Sequence, residues 1–171
     1  MKYLIIIDMQ KDFVTGALGS AAAEAVIPAI KEKAANGGYD KVYCTFDTHY
    51  DNYMDTLEGK KLPVPHCIKG TDGWSTALGT VIGEAVEKNT FGYCGWREKL
   101  GQLGSEDHID IVGVCTDICV VSNALILRAI YPDTPMTADA SCCAGTSEAA
   151  HNAALEVMRS CQIDVINDRG E

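Results

Sequence analysis

The chain has 171 residues, of which 47% are apolar and 22% are charged, and this composition suits a single globular domain over residues 1–171 rather than a disordered chain. The formal net charge is −10. It argues against nucleic acid and anionic membrane surfaces as partners, because phosphate binding needs a positive field.

Strand-like apolar runs alternate with helical patterns along the chain. The predicted order is strand 3–7, helix 21–35, strand 41–46, strand 80–86, a short helix near 96–103, strand 108–114, helix 117–131, strand 137–143, helix 146–160 and strand 164–166. Such alternation predicts an α/β fold with a mostly parallel six-stranded sheet between helices on both faces, a three-layer αβα architecture. The long polar segment 47–75 is expected to carry function, since loops of that length usually do.

Residues with charged or nucleophilic side chains cluster at the predicted strand ends. Asp8 ends the first strand, Asp47 follows the second, Lys88 lies just beyond the third, and residues 115–119 follow the fourth. Ligands of parallel sheets bind beyond the carboxyl ends of the strands. We therefore expect one site at this edge of the sheet.

Cys119 is the candidate nucleophile. Thr116 is the expected N-cap of the helix that follows the fourth strand, which places Cys119 in the first helical turn. Free N–H groups and the positive helix end there favour a thiolate and can hold an oxyanion. A lone cysteine is, however, more often a core residue, and Cys115, Cys142 and Cys143 compete for the role.

Three motifs resemble, in order, those of the isochorismatase-like cysteine hydrolases. They are I-D-M-Q-x-D-F at residues 7–13, K-x-x-F at residues 88–91 and G-V-x-T-D-x-C-V at residues 113–120. The resemblance extends from Tyr3 to about Ser147. It implies the fold of that family and a homo-oligomeric assembly.

The resemblance also assigns roles. It implies that Asp8 is the catalytic acid and base, that Lys88 stabilises charge, and that Cys119 is the nucleophile. It implies a cis peptide bond before Cys115, with the backbone N–H groups of Cys115 and Cys119 as an oxyanion hole. Phe13 matches an aromatic residue that packs on the substrate ring, although it could equally be an ordinary core residue.

The polar segment contains a candidate metal site. One carboxylate and two imidazoles, from Asp47, His49 and His66, suit zinc, iron or manganese, although polar loops often hold histidines without a metal. D-x-H at 47–49 followed by P-H-C-x-x-G-T-x-G at 65–73 resembles the metal-binding region of nicotinamidases within the family. It implies these three ligands for a divalent metal, zinc before iron or manganese. Glu58 is a candidate fourth ligand and equally a solvated loop acid.

The resemblance implies an amidohydrolase, first of all a nicotinamidase that converts nicotinamide to nicotinate and ammonia through a cysteine thioester. In nicotinamidases the metal binds the pyridine nitrogen, which places the carboxamide carbon over the cysteine. Thr48 and Pro63 stand where the family has tryptophan, which leaves the substrate open. The alternatives are a related hydrolase of another amide, a carbamoyl compound or an isochorismate-like substrate, and a catalytically silent binding member.

Cysteine usage and hydropathy bear on the compartment. The eight cysteines lie mostly in apolar runs and form no C-x-x-C pair, so they are expected to be free thiols in a reducing cytoplasm. No stretch approaches the roughly 20 apolar residues of a membrane span. A small-molecule amide is the expected partner. His151 is expected on a helix surface.

Overall fold

Six parallel strands form one central sheet in the computed structural model, which describes residues 1–168. The sheet order is β3-β2-β1-β4-β5-β6, and every neighbouring pair is parallel. The predicted α/β class and six-stranded sheet are confirmed. The strands are β1 Lys2–Ile7, β2 Lys41–Asp47, β3 Glu84–Lys88, β4 His108–Val114, β5 Met136–Ala144 and β6 Asp164–Ile166.

Helices cover both faces of the sheet. They are α1 Lys11–Val14, α2 Ala21–Ala25, α3 Ile27–Asn36, α4 Leu57–Lys61, α5 Trp96–Leu100, α6 Val121–Ile130 and α7 Glu148–Ser160. A 3₁₀ turn spans Tyr53–Asp55 and a π turn spans Thr116–Val120. Within residues 1–168, no helix combines the length and the apolar character that crossing a bilayer requires.

Strand β1 lies at the centre of two hydrophobic cores. Ile5 points to the core that contains Leu127 of α6, whereas Ile6 points to the core that contains Ile30 of α3. Side chains alternate between the faces of a strand, so a strand covered on both faces must be apolar throughout. This accounts for the unbroken apolar run at the start of the chain. Each fully buried side chain of this kind contributes roughly 1.5–3 kcal/mol.

The predicted helix over 21–35 is two helices. Helix α2 ends at Ala25, and α3 begins at Ile27 with Pro28 in its first turn. Proline has no backbone N–H to donate to the carbonyl four residues earlier, so it ends one helix and is accommodated at the start of the next.

The third strand was predicted too early in the chain. It runs over Glu84–Lys88 instead of residues 80–86, so Lys88 is its last residue and does not lie beyond it. Gly83 has a φ of +79° directly before the strand, and a Cβ there would lie 2.1 Å from the carbonyl oxygen of Val42. The apolar pair Val81 and Ile82 therefore belongs to the approach to the strand.

The fourth crossover begins with the π turn rather than with a regular helix. The N–H groups of Ile118 and Val120 both donate to the carbonyl of Cys115, at 3.1 and 3.0 Å. Cys115 occupies the N-cap position without a side-chain cap, so the prediction that Thr116 is the N-cap is wrong. π turns are rare in proteins, and many of those that occur lie at functional sites.

The order of the strands places a crevice at the middle of the sheet. From β1 the chain builds outwards first through β2 and β3, and then on the other side through β4, β5 and β6. The segments after β1 and β4 therefore leave the sheet on opposite sides of a topological switch point, where ligands of such folds bind. Asp8 follows β1, and the π turn follows β4.

Candidate active site and metal centre

Three predicted catalytic side chains meet at the carboxyl edge of the sheet. Lys88 Nζ lies 2.7 Å from Asp8 Oδ2 and 3.8 Å from Cys119 Sγ. All three residues are buried, with exposed fractions of 0%, 4% and 5% for Asp8, Lys88 and Cys119. We refer to them as the triad. Each comes from a different strand end, so the parallel sheet itself brings them together.

Burial and charge set the protonation of the triad. Burial raises the pKa of the Asp8 carboxyl, against the opposing effect of Lys88. Burial and the negative charge of Asp8 raise the pKa of the Cys119 thiol well above its usual range. Burial acts in the other direction on Lys88, but Asp8 and Cys119 outweigh it and raise the pKa of the ammonium. Burial and the charge of Asp8 therefore outweigh the lowering of the thiol pKa that the helix end was expected to cause. The resting site holds a neutral Cys119 thiol beside the Lys88 ammonium and the Asp8 carboxyl group.

The backbone and one hydroxyl fix the orientation of Asp8. Its φ is +47°, in the left-handed region that residues with a side chain rarely adopt. The Thr45 hydroxyl donates to Asp8 Oδ1 at 2.6 Å and accepts from the Asp8 N–H at 3.1 Å. Oδ2 faces Lys88 as an ion pair and has no aligned hydrogen-bond donor within residues 1–168. One carboxylate oxygen is thus held and the other is available for proton transfer.

Four ligand-type side chains converge beside the triad. Asp47, His49, Glu58 and His66 each offer an atom within 4.8 Å of the others, and we call them the donor cluster. Asp47 Oδ2 lies 3.0 Å from His49 Nε2 and 3.8 Å from His66 Nε2. Glu58 Oε1 lies 3.6 and 3.7 Å from the same two nitrogens. The structure thus joins Glu58 to the three candidate ligands that the spacing suggested.

The donor cluster fits a divalent cation. His66 Nδ1 lies 2.8 Å from the carbonyl oxygen of Val64, and donation to that carbonyl leaves the Nε2 lone pair facing the cluster. Two imidazoles and two carboxylates form a set that zinc, iron and manganese accept. In the protein alone, the hydrogen bond to His49 and the charge of Lys88 outweigh burial and lower the pKa of Asp47. Its carboxylate is therefore ionised and ready to bind a cation.

Asp47 connects the two parts of the site. Its Oδ1 lies 3.5 Å from Lys88 Nζ, while Oδ2 faces the imidazoles of the cluster. Gln10 holds the Asp47 backbone from both sides: its amide donates to the Asp47 carbonyl at 2.9 Å and its oxygen accepts the Asp47 N–H at 2.7 Å. A charge bound in the cluster would therefore be felt by Lys88.

Two further residues shape the segment that carries His66. Asp12 Oδ2 accepts the Cys67 N–H at 2.8 Å. Tyr53 packs edge-on against His49 and His66 at centroid distances of 4.8 and 5.1 Å, and its hydroxyl donates to the Leu62 carbonyl. The stretch 62–67, which contains His66, is therefore hydrogen-bonded at both ends.

A cavity of about 370 Å³ opens beside Cys119 and three members of the donor cluster. Phe13 lies on its wall, 5.3 Å from the His66 ring between centroids. Cys115 also lines this cavity, whereas the competitors Cys142 and Cys143 are buried in the cores on either side of β5. The remaining lining residues are Leu18, Gly19, Ser20, Ala23, Asp47, Glu58, Leu62, His66, Phe91, Ile118, Cys119, Ala144, Gly145 and Thr146.

The loop before Cys119 has the predicted backbone geometry. The peptide bond between Val114 and Cys115 is cis, as the motif implied. Burial, with the charges of Asp117 and Asp8, raises the pKa of the Cys115 thiol to about 12. The neutral Cys115 thiol lines the cavity and does not compete with Cys119 for the Lys88 ammonium.

Sequence reasoning missed several supporting residues. Gln10 and Thr45 were passed over, and His151 was expected at a helix surface, although it is half-buried and bonded to Thr116. Gln10 lies inside the I-D-M-Q motif, which was a usable signal. Thr45 is polar in an otherwise apolar strand, which was a second one.

Comparisons with known proteins identify the family of the chain and agree with its fold. The chain matches the family model described as the isochorismatase domain over residues 2–169. It is 31% identical to the nicotinamidase/pyrazinamidase of Mycobacterium tuberculosis, over 97% of this chain and 98% of that protein. Its fold resembles that of an L. infantum protein solved in complex with nicotinate, with a TM-score of 0.81, 21% identity and coverage of 97% and 92%. It also resembles a pyrazinamidase of Pyrococcus horikoshii in complex with zinc, with a TM-score of 0.78, 22% identity and coverage of 98% and 99%.

The parallel sheet and the buried acid, amine and thiol at its carboxyl edge are those of a cysteine hydrolase with an α/β fold. The extent of the family match then settles the particular group. The chain belongs to the isochorismatase family.

Proposed function

We propose that this protein is a nicotinamidase, which hydrolyses nicotinamide to nicotinate and ammonia. The observation that carries the proposal is the position of Lys88 Nζ, 2.7 Å from Asp8 and 3.8 Å from Cys119, beside a cavity that Cys119 lines together with three members of the donor cluster. The similarity to the M. tuberculosis nicotinamidase/pyrazinamidase supports it. A nucleophile site next to a cation site suits an amide carried on a ring with a basic nitrogen.

The first half of the proposed reaction forms a thioester. Asp8 takes the proton of the Cys119 thiol as the sulfur attacks the carboxamide carbon. The N–H groups of Cys115 and Cys119 hold the oxyanion, and Lys88 stabilises the negative charge. The C–N bond then breaks as Asp8 returns the proton to the departing nitrogen, which leaves as ammonia.

The second half releases the acid. Water enters the vacated position, and Asp8 takes its proton as the oxygen attacks the thioester carbon. The C–S bond breaks, the carboxylic acid leaves, and the proton on Asp8 restores the Cys119 thiol. One carboxyl group thus acts twice as base and twice as acid.

The donor cluster has a separate role in the proposal. Asp47, His49, Glu58 and His66 would hold a divalent ion, with zinc as the first choice, and this ion would supply Lewis acidity at that side of the cavity when bound. Phe13 packs on the ring. This packing orients the carboxamide towards Cys119, and orientation of this kind can be worth several kcal/mol of the barrier.

The test combines ammonia release from nicotinamide with metal analysis of the purified protein. We expect turnover and about one bound metal ion per chain. Cys119→Ala should abolish turnover and retain the metal, whereas His66→Ala should lose the metal. Full activity of Cys119→Ala would reject the thioester route and favour a reaction that does not use this thiol.

A panel of substrates tests which compound the protein hydrolyses, a question that is open because Thr48 and Pro63 stand where the family has tryptophan. Nicotinamide is compared with other small amides, a carbamoyl compound and isochorismate, each with and without chelator. Preference for nicotinamide that is lost with chelator supports the proposal. Preference for another compound would reassign the substrate and leave the triad in place. The cytoplasmic location and a homo-oligomeric state remain predictions.

A further inference from the structure

Helix α7 is hydrogen-bonded to the π turn that carries Cys119. His151 Nδ1 lies 2.8 Å from the hydroxyl oxygen of Thr116, the first residue of the turn. Thr116 is fully buried, so its hydroxyl cannot turn to solvent for another partner. A buried hydroxyl that loses its partner costs roughly 1–3 kcal/mol. The bond is therefore a firm link between α7 and the turn.

A second link runs beside the first. The Asp117 carboxylate accepts the Thr146 N–H at 2.8 Å and the Thr146 hydroxyl at 2.5 Å. Gly145 permits this close approach, because a Cβ there would lie 2.8 Å from Asp117 Oδ1 and 2.9 Å from His151 Cβ. The segment before α7 and the π turn are thus in contact through backbone and side chains.

His151 itself stands outside the catalytic cavity. It lines a neighbouring groove of about 810 Å³, which shares Gly145 and Thr146 with the catalytic cavity. Burial lowers the pKa of His151, so its imidazole is neutral near pH 7. A residue in this position touches Thr116 and not the substrate.

We propose that His151 is a positioning residue, which holds the π turn and therefore Cys119 in place through its hydrogen bond to Thr116. The proposal rests on the proposed function only in taking Cys119 as the nucleophile. Displacing a reacting atom by about 1 Å can cost on the order of 100-fold in rate. Loss of the bond should therefore reduce kcat while leaving KM, which depends on the ring-binding residues, nearly unchanged.

The test uses three substitutions of His151. The amide of asparagine can reach the place of the imidazole Nδ1, whereas the longer glutamine amide reaches the place of Nε2. We expect His151→Ala and His151→Gln to lower kcat about 10- to 100-fold. We expect His151→Asn to restore most of it. Asn152→Ala, an exposed neighbour on the same helix, is the matched control.

A second measurement needs no amide substrate. The rate at which iodoacetamide alkylates Cys119 is followed by peptide mass spectrometry, which separates it from the exposed Cys94. The same ranking of variants is expected when alkylation is followed well below the melting temperatures. His151→Gln should melt at a lower temperature than His151→Asn, because it leaves the buried Thr116 hydroxyl without a partner. Wild-type alkylation in His151→Ala, or equal rates in the Asn and Gln variants, would overturn the proposal. A wild type that alkylates but does not hydrolyse nicotinamide would reject the proposed function alone.

Discussion

At the scale of the residue, Asp8 shows how a strained backbone serves a site. A φ of +47° for a residue with a side chain costs about 1–3 kcal/mol and persists only where the surroundings impose it. Here Thr45 bonds both the N–H and Oδ1 of Asp8. The arrangement directs Oδ2 to Lys88, and thus towards the thiol that Lys88 also contacts.

The Thr45 hydroxyl should tune the acid limb of the pH profile. Its hydrogen bond lowers the pKa of Asp8, so Thr45→Val should raise that pKa further. The base must be unprotonated to act, so the fall of kcat/KM on acidification should begin at a higher pH, by about one pH unit. The measurement is kcat/KM for nicotinamide between about pH 4 and pH 8, an interval that extends upwards from the usual pKa of an aspartate.

Thr45→Ser provides the matched control, because it keeps the hydroxyl. Its acid limb should coincide with that of the wild type. An unchanged acid limb in Thr45→Val would show that Asp8 is not the group that titrates there.

At the scale of the element, Asn123 joins α6 to the site. Its Oδ1 accepts the Tyr93 N–H at 3.0 Å and Trp96 Nε1 at 2.9 Å. Its Nδ2 donates to the carbonyls of Cys119 and Phe91, at 2.8 and 3.2 Å. A single buried amide thus satisfies four partners in the π turn and in the segment that follows β3.

Removing that amide should destabilise the fold. Asn123→Ala leaves buried donors and acceptors without partners, so the free energy of unfolding should fall by about 3 kcal/mol. Urea denaturation followed by circular dichroism measures it. Ser122→Ala, at the adjacent and less buried position, should change stability by less than about 0.5 kcal/mol. Equal stability of the two variants would contradict this account of Asn123.

At the scale of the whole molecule, the sheet gathers a site from distant parts of the chain. Strands β1, β2, β3 and β4 are adjacent in the order β3-β2-β1-β4, and neighbouring strands lie about 4.8 Å apart. Asp8, Asp47, Lys88 and the π turn therefore reach one edge within a few strand spacings. Rigid placement depends on the two hydrophobic cores between the sheet and its helices.

The core should respond strongly to a cavity at its centre. Ile111 on β4 is fully buried, and Ile111→Ala should cost roughly 2–5 kcal/mol. For a chain of this size each kcal/mol lowers Tm by about 2–4 °C, so a fall of about 4–20 °C is expected by scanning calorimetry. Val157→Ala, at an exposed position of α7, should leave Tm nearly unchanged. Similar Tm values for the two variants would contradict the central place of β4.

The sequence determined the fold class because its signals are local. The apolar run before Asp8 and the strand over His108–Val114 follow from periodicity, and the observed strand bounds agree closely with them. Where local conformation competes with hydropathy, prediction failed: Gly83 delays β3, and Pro28 divides a helix whose apolar spacing is continuous.

The sequence by itself also determined which residues are candidates for the site, since the motifs contain Asp8, Asp47, Lys88 and Cys119 in order. Only the tertiary structure decided their charge states and partners. Burial and neighbouring charges set the pKa of a thiol, and they come from residues such as Lys88 that lie far along the chain. The bond between His151 and Thr116 spans 35 positions, and no local pattern encodes a contact that exists only once the chain has folded.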